Sequence, residues 1–203
     1  MTSANQRAGE LAAGSLAVLP TDTVYGLVCA AASRTAAHEL YRLKGRAEIQ
    51  PTALLAAGVD ALLSSLPGLD ARATAGIRAL LPGPFTLVVA NPARCYDWLS
   101  AARPEVIGVR APALPEPAAE IVERIGIIVA TSANFPGGAD PRRLEDVPDE
   151  ILAGTAFAVD GGELPGIPST VIDLSGDVPI VLRVGAGDPD EALERLDEVL
   201  TQS

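Results

Sequence analysis

Gly126-Ile127-Ile128-Val129-Ala130-Thr131-Ser132-Ala133-Asn134, residues 126–134, decides the fold. The first five residues are nearly all apolar and show no alternation, which predicts a strand covered on both faces and hence a central place in a sheet. The run then stops on a hydroxyl- and amide-bearing cluster, so this strand ends at something polar.

The same junction recurs along the chain. A strand predicted over 15–19 runs into Pro20-Thr21-Asp22-Thr23 before a second over 24–30. Further strands are predicted over 52–56, 85–90, 106–110, 156–159, 169–174 and 180–184. Helical periodicity covers 4–13, 34–43, 59–66, 70–81, 116–125, 143–152 and 189–199. Ser33 is placed to cap the helix over 34–43, and Lys44-Gly45-Arg46 to end it with a glycine stop and two cations at its carbonyl end. Strands and helices alternate without an internal repeat, which predicts an open α/β sheet with flanking helices rather than a barrel. One domain over 1–203 is expected, with 188–203 forming an acidic C-terminal helix or tail.

Composition narrows the function classes. The 48% hydrophobic fraction supports a large core, but only 3% of residues are aromatic, so burial must come from Ala, Leu, Val and Ile. The net charge of −11 argues against a broad nucleic-acid face, which needs the opposite balance. Cys29 and Cys95 lack CxxC or metal-ligand spacing and read as buried thiols of a reducing compartment. No apolar run approaches the roughly 18 residues that span a bilayer, and the N-terminus lacks an apolar signal core. A cytoplasmic location without membrane contact is therefore expected. His38 is the one histidine, so no histidine pair can form, and it reads as a packing or surface residue. Dinucleotide, phosphate-loop, HExxH and GxSxG signatures are absent.

Chemistry must therefore come from the strand ends. Thr21-Asp22-Thr23, Thr131-Ser132-Ala133-Asn134 and Ser169-Thr170 supply hydroxyls and an amide, while Arg110 and Arg183 end two more strands. Lys44 is the one lysine, a compact ammonium where every other basic side chain is a guanidinium fork. Taken singly, PTDT also reads as a capped turn, TSAN as a helix N-cap cluster, and Arg110 and Arg183 as surface ion-pair partners. Gathered beyond the sheet ends, as ligand sites in open α/β sheets are, they make an anion site.

Pro20-Thr21-Asp22-Thr23-Val24-Tyr25-Gly26-Leu27, Lys44-Gly45-Arg46, Pro82-Gly83-Pro84-Phe85-Thr86, Val109-Arg110-Ala111-Pro112, Thr131-Ser132-Ala133-Asn134, Pro168-Ser169-Thr170-Val171 and Leu182-Arg183-Val184-Gly185-Ala186 follow in an order that resembles the YrdC-like family of threonylcarbamoyladenylate synthases. The resemblance spans about residues 10–187. It implies one twisted, open mixed sheet of the YrdC/RibB type around a central cavity. It also implies synthesis of L-threonylcarbamoyladenylate and pyrophosphate from L-threonine, bicarbonate or CO2, and ATP, with Mg2+ accompanying ATP and no protein-only metal site. The product would pass to a separate transferase that forms N6-threonylcarbamoyladenosine on tRNA, so tRNA contact here would be weak or transient.

By the same resemblance, Lys44 and Arg46 act on the phosphates, and Ser132, Asn134 and Arg183 hold the nucleotide. Thr21, Arg46, Arg110 and Ser169 fall on positions suited to threonine or the intermediate. The chain departs from the family pattern at Ala47 and Gln50-Pro51-Thr52 and reads LRVGA where LRPGA is common. A nucleotide- or RNA-binding module without activity, or a carbamoyl-transfer domain, is the alternative on the same fold.

Overall fold

A computed structural model describes residues 3–45, 52–100 and 103–201. Its strands are β1 (Ala17–Pro20), β2 (Tyr25–Ala30), β3 (Ala53–Ala56), β4 (Phe85–Ala90), β5 (Val106–Arg110), β6 (Ile127–Ser132), β7 (Phe157–Ala158), β8 (Thr170–Asp173) and β9 (Ile180–Arg183). The helices are α1 (Ala4–Ala12), α2 (Arg34–Lys44), α3 (Val59–Ser64), α4 (Ala71–Leu80), α5 (Ala118–Ile125), α6 (Asp149–Ala153) and α7 (Pro189–Leu200). All nine strands form one mixed sheet in the order β7-β1-β2-β6-β3-β5-β4-β8-β9. β6, the strand of the opening stretch, sits inside it between β2 and β3, antiparallel to both. Ile128, Val129 and Ala130 are all buried, as an unalternating apolar run requires.

The two faces of the sheet are covered differently, and this makes the site. One face carries Leu27, Cys29, Leu54, Leu87, Val89, Ile107, Val109, Val129 and Ile172, packed with residues of α2, α3, α4 and α7. The other carries Ala17, Leu19, Val28, Leu55 and Ile128 under α1 and α5, which pack against each other. Each fully buried aliphatic side chain contributes about 1.5–3 kcal/mol. These helices cover only part of the second face. Beyond them many of its strand residues are small or polar, and Gly26, Ala53, Gly108, Ala130 and Thr86 face a cavity.

The ends of α2 follow the expected chemistry. Ser33 accepts from the Ala36 N–H at 3.2 Å, and Gly45 takes the left-handed conformation at φ 63° that a side chain disfavours. A continuous helix over 143–152 does not form. A 3-10 turn at Leu144–Asp146 and α6 replace it, because Pro148 restricts Val147 to an extended backbone at ψ 127°. A second 3-10 turn, Asp97–Ser100, carries no helical periodicity in the sequence.

Tyr25 lies beneath the cavity in the opposite core, fully buried. Its hydroxyl accepts from Gly161 N–H at 2.9 Å and lies 2.8 Å from Gly162 O and 3.1 Å from Asp160 Oδ1. Burial pushes its phenol above the usual range. Tyr25 thus anchors the start of the turn-rich segment that ends at Ser169. Tyr25→Phe removes these bonds to partners that water reaches, at about 0.5–1.5 kcal/mol. A thermal melt is expected to shift down by about 2–4 °C for each kcal/mol; an unchanged melting temperature would show that the hydroxyl anchors nothing.

Candidate active site

The cavity encloses about 550 Å³, within the range of small-molecule sites. Seven of the eight residues singled out in the sequence line it: Thr21, Lys44, Arg110, Ser132, Asn134, Ser169 and Arg183. The eighth, Arg46, lies outside the described residues, as do Ala47 and Gln50. The site does not sit beyond the strand ends, as the strand-end clusters suggested. Alternate residues Thr86 and Val88, Gly108 and Arg110, and Ala130 and Ser132 line it, so it lies over a face of the sheet.

Lys44 reaches this face from the last turn of α2, and its ammonium is buried in a nest of acceptors. Nζ donates to Asn134 O and Asn134 Oδ1, both at 2.9 Å, to Ser132 Oγ at 3.3 Å, and to Ser132 O. Ser132 Oγ in turn donates to Asn134 Oδ1 at 2.7 Å. Asn134 Nδ2 donates to Gly138 O at 2.8 Å, and no helix follows it, so the helix-cap reading of TSAN does not hold. Antiparallel pairing of β6 with β2 and β3 fixes where Ser132 ends. Lysine suits this place because a compact ammonium points its N–H donors at acceptors in different directions where a planar fork cannot.

At the other side, Arg183 Nε and Nη2 donate to Ser169 O at 3.1 and 2.8 Å, and Nη2 also reaches Ser169 Oγ at 3.2 Å. Ser169 Oγ lies 2.7 Å from Thr86 Oγ1. The close passage of Gly185 makes this arrangement possible: a Cβ there would overlap the backbone of Pro168 and Ser169.

The PTDT turn proves to be both a capped turn and a cavity wall. Thr21 Oγ1 donates to Val24 O at 2.7 Å and accepts from Thr23 N–H at 3.2 Å and Val24 N–H at 3.3 Å, so its hydroxyl is largely spent on the turn. Asp22 also bonds the floor: its Oδ1 accepts from Arg110 Nη2 at 2.7 Å. Both side chains are only 11% exposed, so Arg110 is not a surface ion-pair partner. Burial raises the Asp22 pKa against the pull of Arg110. Burial likewise lowers that of Arg110, with Asp22 pulling it up and Arg183 pushing it down.

Among the described lining residues, Lys44, Arg110 and Arg183 stand against one carboxylate, Asp140. A concavity with this balance suits anionic groups and negative charge that grows during a reaction. It offers no histidine base, and Cys29, whose thiol burial pushes up to about 12, is no nucleophile. Thr86, Phe135 and Asp140 were not singled out in the sequence. Thr86 had a signal, since it interrupts the apolar run 85–90 on the face opposite Phe85, Leu87 and Val89. Phe135 and Asp140 sit in an irregular loop and had none.

A family model, Sua5_yciO_yrdC, described as "Telomere recombination", matches residues 10–185. A human protein named threonylcarbamoyl-AMP synthase is 33% identical over 203 residues, an alignment covering 95% of this chain and 69% of the human one. The crystal structure of Pyrococcus abyssi Sua5 complexed with L-threonine superposes with a TM-score of 0.84 at 29% identity over 97% of this chain. This chain spans 59% of that archaeal protein. Escherichia coli YciO aligns over 91% of this chain and 90% of its own, with a TM-score of 0.79 and 27% identity.

Proposed function

Because the chain belongs to the Sua5, YciO and YrdC family, we propose that it makes L-threonylcarbamoyladenylate from L-threonine, bicarbonate or CO2, and ATP, releasing pyrophosphate. The observation that supports this most is the gathering of Lys44, Arg110 and Arg183 with Ser132, Asn134 and Ser169 on one cavity. The L-threonine in the archaeal relative's structure agrees with it.

The reaction needs placement and charge neutralisation more than a protein nucleophile. The threonine amine attacks CO2 and loses a proton, forming a carbamate. A carbamate oxygen then attacks the α-phosphorus of ATP, the bond to the β-phosphate oxygen breaks, and pyrophosphate leaves. Lys44 is assigned to the phosphates, and Ser132, Asn134 and Arg183 to the nucleotide. Arg110 and Ser169 are assigned to threonine or its carbamate, with Thr21 contributing mainly as wall. Arg46 is carried along as the second phosphate cation. Holding both reactants in line supplies the proximity term, and the cations meet charge that develops on the leaving phosphates.

Among the described residues no group of three or more His, Cys, Asp or Glu side chains could hold a metal. Mg2+ would come in on the oxygens of ATP, where it would neutralise phosphate charge. Product transfer to tRNA would fall to a separate enzyme, in keeping with the net charge of −11.

Pyrophosphate release from Mg·ATP is expected to require both L-threonine and bicarbonate. Release that ignores threonine, or RNA binding with no release at all, would sink the proposal.

A further inference from the structure

We propose that Asp22 is a positioning residue for this reaction, one that aims Arg110 into the cavity without touching the substrate itself; this rests on the synthase reading above. Arg110 lines the cavity and Asp22 does not. The two are 88 positions apart in sequence and meet because the β1–β2 turn folds over the end of the Arg110 side chain.

The geometry of the pair is the argument. A carboxylate and a guanidinium that bind for stability alone favour a fork of two parallel bonds. Here both bonds to the turn run through one terminal nitrogen: Arg110 Nη2 donates to Asp22 Oδ1 at 2.7 Å and reaches Thr23 Oγ1 at 3.4 Å. Thr23 Oγ1 lies 3.1 Å from Thr21 Oγ1, so the contact is fixed to the capped turn. Asp22 Oδ2 and Arg110 Nε are buried with no hydrogen-bond partner among the described residues. The pair thus gives up its second bond, a poor arrangement for stability, while the guanidinium stays part of the cavity wall. Asp22 also offsets the like charge of Arg183, which acts on Arg110 across the cavity.

A residue that works through Arg110 should fail in a particular way. Asp22→Ala is expected to raise the KM for L-threonine roughly ten- to a hundredfold, the scale of a misplaced binding group. The KM for ATP, assigned to other residues, should move far less. Arg110→Met should show a similar threonine defect, and the double variant should be no worse than Arg110→Met alone, since Asp22 has nothing left to aim. Asp22→Glu, which keeps the charge, should recover part of the threonine affinity. If Asp22→Ala does not fold, Asp22→Asn carries the same cycle, because it keeps the shape and an acceptor while losing the charge.

Threonine affinity is read both as KM and by calorimetry on the folded protein, with the melting temperature of every variant recorded. Effects of Asp22 and Arg110 that multiply, or equal losses in threonine and ATP affinity, would overturn the inference. Wild-type protein that neither binds L-threonine nor releases pyrophosphate would instead overturn the synthase reading, which separates the two failures.

Discussion

Replacing Lys44 by alanine is expected to lower threonine-dependent pyrophosphate release by about 10²–10³-fold, the effect of removing one preorganised group that meets developing charge. The expectation follows from where the ammonium is held. Lys44 is 4% exposed, yet it lines the cavity, and four acceptors from Ser132 and Asn134 fix it. A charge so fixed needs no reorganisation when pyrophosphate leaves. The variant should remain folded, since alanine at the last turn of α2 keeps helix propensity and Gly45 still ends it. Stranding those acceptors costs about 1–3 kcal/mol, which a melt would register. Lys44→Arg should not rescue turnover, because a planar fork cannot satisfy the same four acceptors. Wild-type kinetics in Lys44→Ala would remove Lys44 from the phosphate site.

The second large effect is expected at Arg110. Arg110→Met leaves the Asp22 carboxylate buried and unpaired, and breaking a buried pair from one side costs about 3–5 kcal/mol. It also removes the proposed threonine contact, so turnover should fall together with stability. The two losses can be separated by pH. Burial already raises the Asp22 pKa, and losing Arg110 removes the opposing pull, raising it further. A carboxyl whose folded pKa is raised adds stability below its unfolded value of 3.8 and loses it as pH rises through the folded one. Arg110→Met should therefore lie closer to wild-type stability at the acid end of the folded range than at the alkaline end, while its turnover stays low at both. Adding Asp22→Asn should recover stability at the higher pH without recovering turnover. Equal destabilisation at both pH values would show that Asp22 does not carry the cost.

Much of this was legible in the sequence, for physical reasons that differ by element. The run Ile128–Ala130 declared its own burial because apolar residues on both sides of a strand have no other place to go. Ser33 and Gly45 marked the ends of α2 through local capping chemistry, which needs no tertiary partner. The polar strand ends marked six cavity residues because hydroxyls and cations seldom end apolar strands without use, and Lys44 stood out at the end of α2 as the one lysine.

The position of the cavity was not legible. Whether it lies beyond the strands or over them depends on how far α1 and α5 extend across one face, which is a matter of packing rather than of any local motif. The Asp22–Arg110 pair was hidden for the same reason. It spans 88 residues, and nothing near either partner names the other. Pro148 did carry a local signal against a helix over 143–152, but the apolar spacing of Leu144, Val147 and Ile151 masked it.

The most direct test is to incubate the purified protein with L-threonine, Mg·ATP and isotopically labelled bicarbonate and to look for the adenylate by mass spectrometry. The account predicts L-threonylcarbamoyl-AMP carrying the label, formed with pyrophosphate and absent when any one substrate is omitted. Pyrophosphate formed without a labelled threonine adenylate, or no adenylate at all from folded protein, would contradict it.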